Sequence, residues 1–309
     1  MVNLLLAIIY LSFISLGLPD SVLGAAWPSV YGELSVPLSF AGLLSMIITM
    51  GSIISSLLSD RLTRRFGSGK VTAVSVAMTA GAIMGFSASG SFWQLCLFAI
   101  PYGLGAGGVD AALNNYVALH YASRHMSWLH CMWGLGASLG PYIMGLALTG
   151  GGSWRLGYRY IGYIQITLAL LLFLTLPIWK NRAAGEKADR QEKAPDMKSL
   201  LRLRGVKEVL VCFFCYCALE QTAGLWAGSY LVLKNGMAAE KAASLAGLFF
   251  LGITIGRGAC GFLTYRFSDR TMVRMGFALL MAGVALLPLG GASSLWGLAL
   301  LGLGCAPVY

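Results

Sequence analysis

The stretch at residues 10–31, YLSFISLGLPDSVLGAAWPSVY, decides how the rest of the chain is read. It is apolar enough to sit in hydrocarbon, yet Asp20 stands near its centre, where an ionised carboxylate costs several kcal/mol unless paired, protonated or hydrated. On a straight helix Tyr10, Phe13, Gly17, Asp20, Gly24, Trp27 and Tyr31 recur at steps of three and four and share one face. Lipid would punish an acid flanked by aromatics and glycines. The spacing therefore predicts that this face looks into a protein interior or a watered cavity.

The whole chain shares the character of that stretch. Of 309 residues, 57% are hydrophobic and only 11% charged, and the mean hydropathy is +0.74. Lipid is the expected solvent, and 40 glycines suit close helix packing there better than they suit disorder. MVNLLL has no basic leader before the apolar run, so the first helix is read as retained rather than cleaved. The seven cysteines all lie in apolar runs. The CFFCYC trio has metal-like spacing, but Cys212 and Cys217 would point to different sides of a helix, so a hydrophobic role is preferred and no metal or cofactor is implied.

Ten apolar segments approach spanning length: 4–31, 38–58, 70–88, 92–119, 126–150, 157–179, 207–233, 242–265, 271–289 and a short one from 294. With the N-terminus in the cytoplasm, the cytoplasmic connections hold seventeen Lys and Arg and the opposite side only Arg155, Arg159, Lys234 and Lys241. That asymmetry predicts this orientation, and it assigns the net charge of +10 to membrane topology rather than to nucleic acid.

Between Lys180 and Gly205 the sequence turns polar and reads as a solvated cytoplasmic linker, with a basic lipid- or calmodulin-binding segment as the weaker reading. Two similar halves flank it. An offset of 200 aligns Asp20 with Glu220, Gly24 with Gly224 and Ser29 with Ser229; an offset of 205 aligns Gly51 with Gly256 and Arg61 with Arg266. The expected organisation is an N-terminal six-helix half over 1–179, a linker over 180–206, and an incomplete second half over 207–309. Equal repeats would continue for roughly 70 residues past Tyr309, so a twelve-helix parent truncated in its tenth helix is expected.

Two motifs carry a family likeness. SDRLTRRFG, with Asp60, Arg61, Arg64 and Arg65, resembles the cytoplasmic loop motif of the major facilitator superfamily, although Ser56 and Thr63 replace glycines. GASLGPYIMG, with Gly136, Gly140 and Pro141, is similar to the superfamily's glycine-proline packing motif. The LPDSVLGAAWP run, together with an acid in the fourth helix, most resembles the fucose permease branch of sugar and proton symporters. The resemblance implies an all-α polytopic fold of two pseudo-symmetric six-helix halves, helices one, four, seven and ten around a central path, and a gating role for the loop at 60–65. It also implies roles in solute recognition and proton coupling for Asp20 and Asp110.

The remaining candidates follow from chemistry. Asp110 shares a stripe with Gly103, Gly107, Asn114 and Val117, a surface that could approach a solute or a neighbouring helix. Glu220, matched to Asp20, completes a proposed proton-coupling set of Asp20, Asp110 and Glu220. Trp27, Tyr31, Trp133 and Trp226 could offer flat faces to a sugar ring, and Asn114, Asn115, His130 and Gln221 could fix hydroxyls; packing or interfacial anchoring is the plain alternative for each. Arg257, inside a span, needs an anion, supplied either by the protein or by an anionic solute. Two G-x-G-x-x-G strings, from Gly103 and from Gly256, open no soluble helix after a strand and read as helix packing.

The expected function is proton-coupled uptake of a small polar solute, a sugar first, across the cell membrane by alternating access, without enzymatic chemistry. Export of a drug or metabolite is the runner-up. A membrane sensor or scaffold would not need the three acids.

Overall fold

The computed structural model describes residues 2–122, 124–189, 202–263 and 265–308, and every regular element among them is helical. In lipid the backbone must satisfy its own polar groups, so long apolar runs close into helices. They are α1 (Val2–Asp20), α2 (Val22–Glu33), α3 (Phe40–Phe66), α4 (Ser68–Ala88), α5 (Phe92–His120), α6 (Arg124–Leu148), α7 (Trp154–Asp189), α8 (Val206–Leu233), α9 (Ala239–Leu263), α10 (Asp269–Leu286) and α11 (Gly291–Cys305). Among the described residues nine spans are long and apolar enough to cross a membrane, with α1 and α2 together forming the first and α11 falling short. The ten segments read from hydropathy correspond one to one with these spans plus α11.

The first span is broken at Ser21, which separates α1 from α2. Pro19 lacks the N–H that would bond the Ser15 carbonyl one turn back. That carbonyl is instead taken by the amide nitrogen of Gln165 from α7, while the Ser15 hydroxyl donates to Gln165 Oε1 at 2.8 Å. Gln165 is 1% exposed, so a side chain from the sixth span repairs the backbone defect that a proline makes in the first.

Small residues set the packing. Gly17, Gly136 and Gly140 join α1 to α6: a Cβ on Gly136 would strike the Ile14 carbonyl, and one on Gly140 the Leu18 carbonyl. Gly103 and Gly107 face α3, where Ser52 and Ser56 donate to their carbonyls at 3.0 and 3.3 Å; Gly105 and Gly108 face α4. The glycine stripe beside Asp110 is therefore a helix seam. Across the halves two seams form, α6 on α9 and α2 on α8. In the second, Gly24 meets Gly224, its own counterpart at the 200-residue offset, which is the contact a two-fold relation between halves produces at its axis.

Three expectations change. Asp60, Arg61, Arg64 and Arg65 lie in the last turns of α3, not in a loop, and the turn itself falls on Gly67, whose φ of 83° suits a residue without Cβ. Thr63, at a position where the family motif has glycine, is 3% exposed and donates back to the Ser59 carbonyl at 2.9 Å, so its hydroxyl is satisfied within the helix. The linker begins as helix, because α7 continues past Trp179 to Asp189; its central part, 190–201, lies outside the described residues. Finally α11 packs on α9 and α10 and, among the described residues, contributes nothing to the central cavity lining, which α1 to α9 share.

Candidate functional site

Between the two groups of helices lies a cavity of about 350 Å³, the size of a small-molecule site. Asp20 at the end of α1, Asp110 on α5 and Glu220 on α8 all line it. Gly24, Gly224 and Leu225 border it where α2 crosses α8, so the seam between halves is also a wall of the site.

Asp20 is held on both oxygens. The Tyr102 hydroxyl donates to Oδ1 at 2.6 Å and the Trp133 indole N–H to Oδ2 at 3.0 Å. These are charge-assisted geometries from α5 and α6, and they fix the carboxyl group at the break after Pro19. Trp133 in turn lies under a cation: the Arg257 guanidinium stands 5.3 Å from its ring centroid. Arg257 Nη2 donates to the Tyr216 hydroxyl at 3.2 Å and Nη1 to the His130 carbonyl at 3.5 Å. Tyr216 is hydrogen-bonded to Glu220 one turn along α8. A chain of contacts thus runs from the acid of the first span through Trp133, Arg257 and Tyr216 to the acid of the seventh. Asp110 has its own partner, Asn114, whose amide donates to Oδ1 at 2.9 Å.

The expected solute contacts divide. His130, Trp133 and Gln221 line the cavity. Asn114 and Asn115 do not, though Asn114 reaches it through Asp110. Trp27, Tyr31 and Trp226 belong to a packed core instead: Trp27 is 0% exposed, donates its indole N–H to the Leu38 carbonyl at 2.8 Å and stands edge-on to Phe92. A straight helical wheel puts Trp27 beside Asp20; the break at Ser21 redirects α2, and of the α2 members of that face only Gly24 lines the cavity. Gly136, Gly140 and Pro141 take packing positions, Pro141 beside Gly247 of α9. Asp60 pairs with Arg64 at 2.9 Å at the exposed end of α3, outside this cavity.

Tyr102 and Tyr158 also line the site, and reading for intramembrane charge passes over them; Tyr216, on the helix face of Glu220, joins them there. A signal exists for the first: Tyr102, Ala106 and Asp110 repeat every four residues, one position round from the glycine stripe.

Comparison with known proteins adds the following. The chain is 25% identical over 284 residues to Bypass of stop codon protein 6 of Saccharomyces cerevisiae, covering 83% of this chain and 56% of that one. It is 26% identical over 288 residues to a probable nitrate/nitrite antiporter, NarK1, of Thermus thermophilus, covering 87% and 62%. The chain thus spans little more than half the length of these curated relatives. Solved structures of similar fold include the nucleoside transporter NupG, with a TM-score of 0.72 at 14% identity over 98% of this chain and 79% of that one. A D-xylose–proton symporter follows at 0.69 and 15%, covering 98% and 80%, and an occupied inward-facing bacterial homologue of the lysosomal transporter Spinster at 0.67 and 15%, covering 99% and 72%. The family model described as the Major Facilitator Superfamily matches residues 9–309, and with the helical architecture and its interior cavity this places the chain in that superfamily of membrane transporters.

Proposed function

We propose that the protein carries a small polar solute, a sugar in the leading reading, together with protons by alternating access. The observation that supports this above all is that three carboxylates, from spans in both halves, face one cavity bordered by the seam between those halves. Asp20, Asp110 and Glu220 are the proposed proton carriers, and His130, Trp133 and Gln221 the proposed solute contacts. Neutralising an acid at that depth removes the cost of moving it through a closed, dry state. The glycine contact between α2 and α8 would part, and the opposite ends of the bundles would meet, as the halves rock.

The finer reading, a fucose-permease-like symporter of the plasma membrane with a cytoplasmic N-terminus, rests on the LPDSVLGAAWP run and on the charge asymmetry of the connections. The division at 1–179, 180–206 and 207–309 and a gating role for Asp60, Arg61, Arg64 and Arg65 belong to the same proposal. The placement of Arg257 on the cavity wall favours a second reading, exchange or export of an anion, and a relative bears the name probable nitrate/nitrite antiporter.

Uptake of labelled sugars into cells or liposomes, with an internal pH indicator, tests the proposal. Sugar entry accompanied by acidification, lost in Asp20→Asn, is the expected result. Anion-driven exchange that survives Asp20→Asn and fails in Arg257→Gln would replace symport with the second reading.

A further inference from the structure

A second cavity, of about 290 Å³, shares no lining residue with the first and lies where α3 ends, α4 begins and the apolar part of α7 ends at Trp179, with Tyr116 of α5 also on its wall. Its polar side is the sequence Gly67-Ser68-Gly69-Lys70, the first turn of α4. Val71 is the first residue whose N–H bonds back into the turn, to the Gly67 carbonyl at 3.2 Å, and no side chain caps this helix end. The N–H groups of Ser68, Gly69 and Lys70 therefore stand at the positive end of a 21-residue helix, with the exposed Lys70 ammonium beside them.

A second, independent feature points to a ligand. Trp179 is 6% exposed, and its indole N–H is buried with no acceptor among the described residues. The ring is packed over Gly69, where a Cβ would come within 2.5 Å of its Cγ, so the indole is fixed against the very turn that carries the free N–H groups. A buried donor without an acceptor is costly unless something else accepts from it. The apolar side of the cavity includes Phe173, 43% exposed on a lipid-facing stretch of α7. Trp179, Phe66 and Ser68 each end or begin an apolar span, which sets the cavity at headgroup depth.

We propose that this cavity holds the phosphate of one anionic phospholipid, received by the first turn of α4, Lys70 and the Trp179 indole N–H, with an acyl chain lying along Phe173. An ion from solution would satisfy the donors but would leave the apolar wall uncovered. A zwitterionic lipid would bring a second cation against Lys70 and the helix end.

Native mass spectrometry of the detergent-purified chain, titrated with phosphatidylglycerol and with phosphatidylcholine of the same acyl chains, reads this directly. One phosphatidylglycerol should be retained about fivefold more tightly than phosphatidylcholine, the factor one basic residue contributes near an anionic surface. Lys70→Gln should abolish that preference. Trp179→Phe, which keeps the ring over Gly69 and removes only the N–H, should weaken phosphatidylglycerol retention while leaving the melting temperature unchanged. Lys241→Gln, at an exposed position on α9, should change neither. Equal retention of the two lipids, retention unaffected by both Lys70→Gln and Trp179→Phe, or an equal loss in Lys241→Gln would overturn the proposal. So would displacement of the lipid by millimolar inorganic phosphate, which would make the ligand a soluble anion.

Discussion

The first span and the seventh occupy the same place in the repeat, carry the matched acids Asp20 and Glu220, and are packed in opposite ways. In the most apolar window of Leu4–Glu33, 67% of residues are buried inside the protein; in that of Val206–Leu233, 6% are. The difference is not composition, since mean hydropathies there are 1.8 and 1.5. It is neighbours. α1 lies along α6 with glycines at the crossing, and α7 reaches in through Gln165. An offset of 200 puts the counterpart of α6 outside residues 207–309, so the exposure of residues 207–215 of α8 follows from the extent of the chain and not from the build of the site. Matched sequence thus specifies matched position, while the donors that reach each acid differ. Asp20 is gripped by donors from two other helices; Glu220 meets a tyrosine of its own.

This contrast is broken or sharpened most strongly at the acids. On the proposed symport, Asp20→Asn should lower solute accumulation by roughly 100-fold or more, the low end for losing a positioned proton-transfer group. Glu220→Gln, whose acid meets a tyrosine of its own helix, should cost less than Asp20→Asn in the same assay. Equal losses in the uptake assay would mean that the donors around each acid do not set its weight. Trp133→Phe isolates the cage itself: the ring under Arg257 stays, the bond to Asp20 goes, and the pH at half-maximal uptake should move more than maximal uptake falls.

Next in size is the seam. Gly24→Leu places a side chain against the Gly224 carbonyl and the Leu225 backbone, and overpacking of that kind costs about 1–3 kcal/mol. Gly32, where an added Cβ would meet nothing within 4 Å, is the control on the same helix. The thermal midpoint in detergent should fall for the first and stay for the second. Gln165→Leu should fall in the same range, about 1–3 kcal/mol, because it strands the buried Ser15 carbonyl that Pro19 leaves open. A Pro19→Ala, Gln165→Leu double variant should recover part of that loss, since α1 would regain its own backbone bond.

Sequence is legible where the cost of an error is local. A carboxylate in an apolar run is expensive wherever the chain goes, so Asp20, Asp110 and Glu220 stand out without knowledge of their neighbours, and spans follow from hydropathy alone. It is illegible where partners come from afar: Trp133 is 113 positions from the Asp20 it bonds, and Gln165 is 150 from Ser15. A straight wheel misplaces Trp27 because it runs through a proline and the break behind it. The charges at 60–65 look like a loop, whereas helical i, i+4 pairing of Asp60 with Arg64 lets charge and helix coexist at a membrane boundary.

The smallest expected effect lies where the two spans end. α2 finishes in a clasp: Glu33 accepts from the Trp154 indole at 2.6 Å and pairs with Arg155, which also donates to the Ser89 carbonyl at 2.9 Å and covers the Trp154 ring at 4.3 Å. α8 finishes without a charge, its Tyr230 hydroxyl donating to the Leu287 carbonyl at 2.7 Å. The Glu33 and Arg155 side chains are 46% and 26% exposed, so water and salt already screen their attraction. Glu33→Gln removes the charge and keeps one acceptor for Trp154 or Arg155, and should cost less than about 1 kcal/mol at low salt and close to nothing in molar salt. Tyr230→Phe removes a neutral bond of similar reach and should cost about the same at every salt concentration. Melting curves of both variants across a salt series separate the two cases. If Glu33→Gln proves insensitive to salt, the end of α2 is held by the buried indole contact rather than by charge, and the clasp belongs with Gln165 as part of the enclosure around α1 and α2.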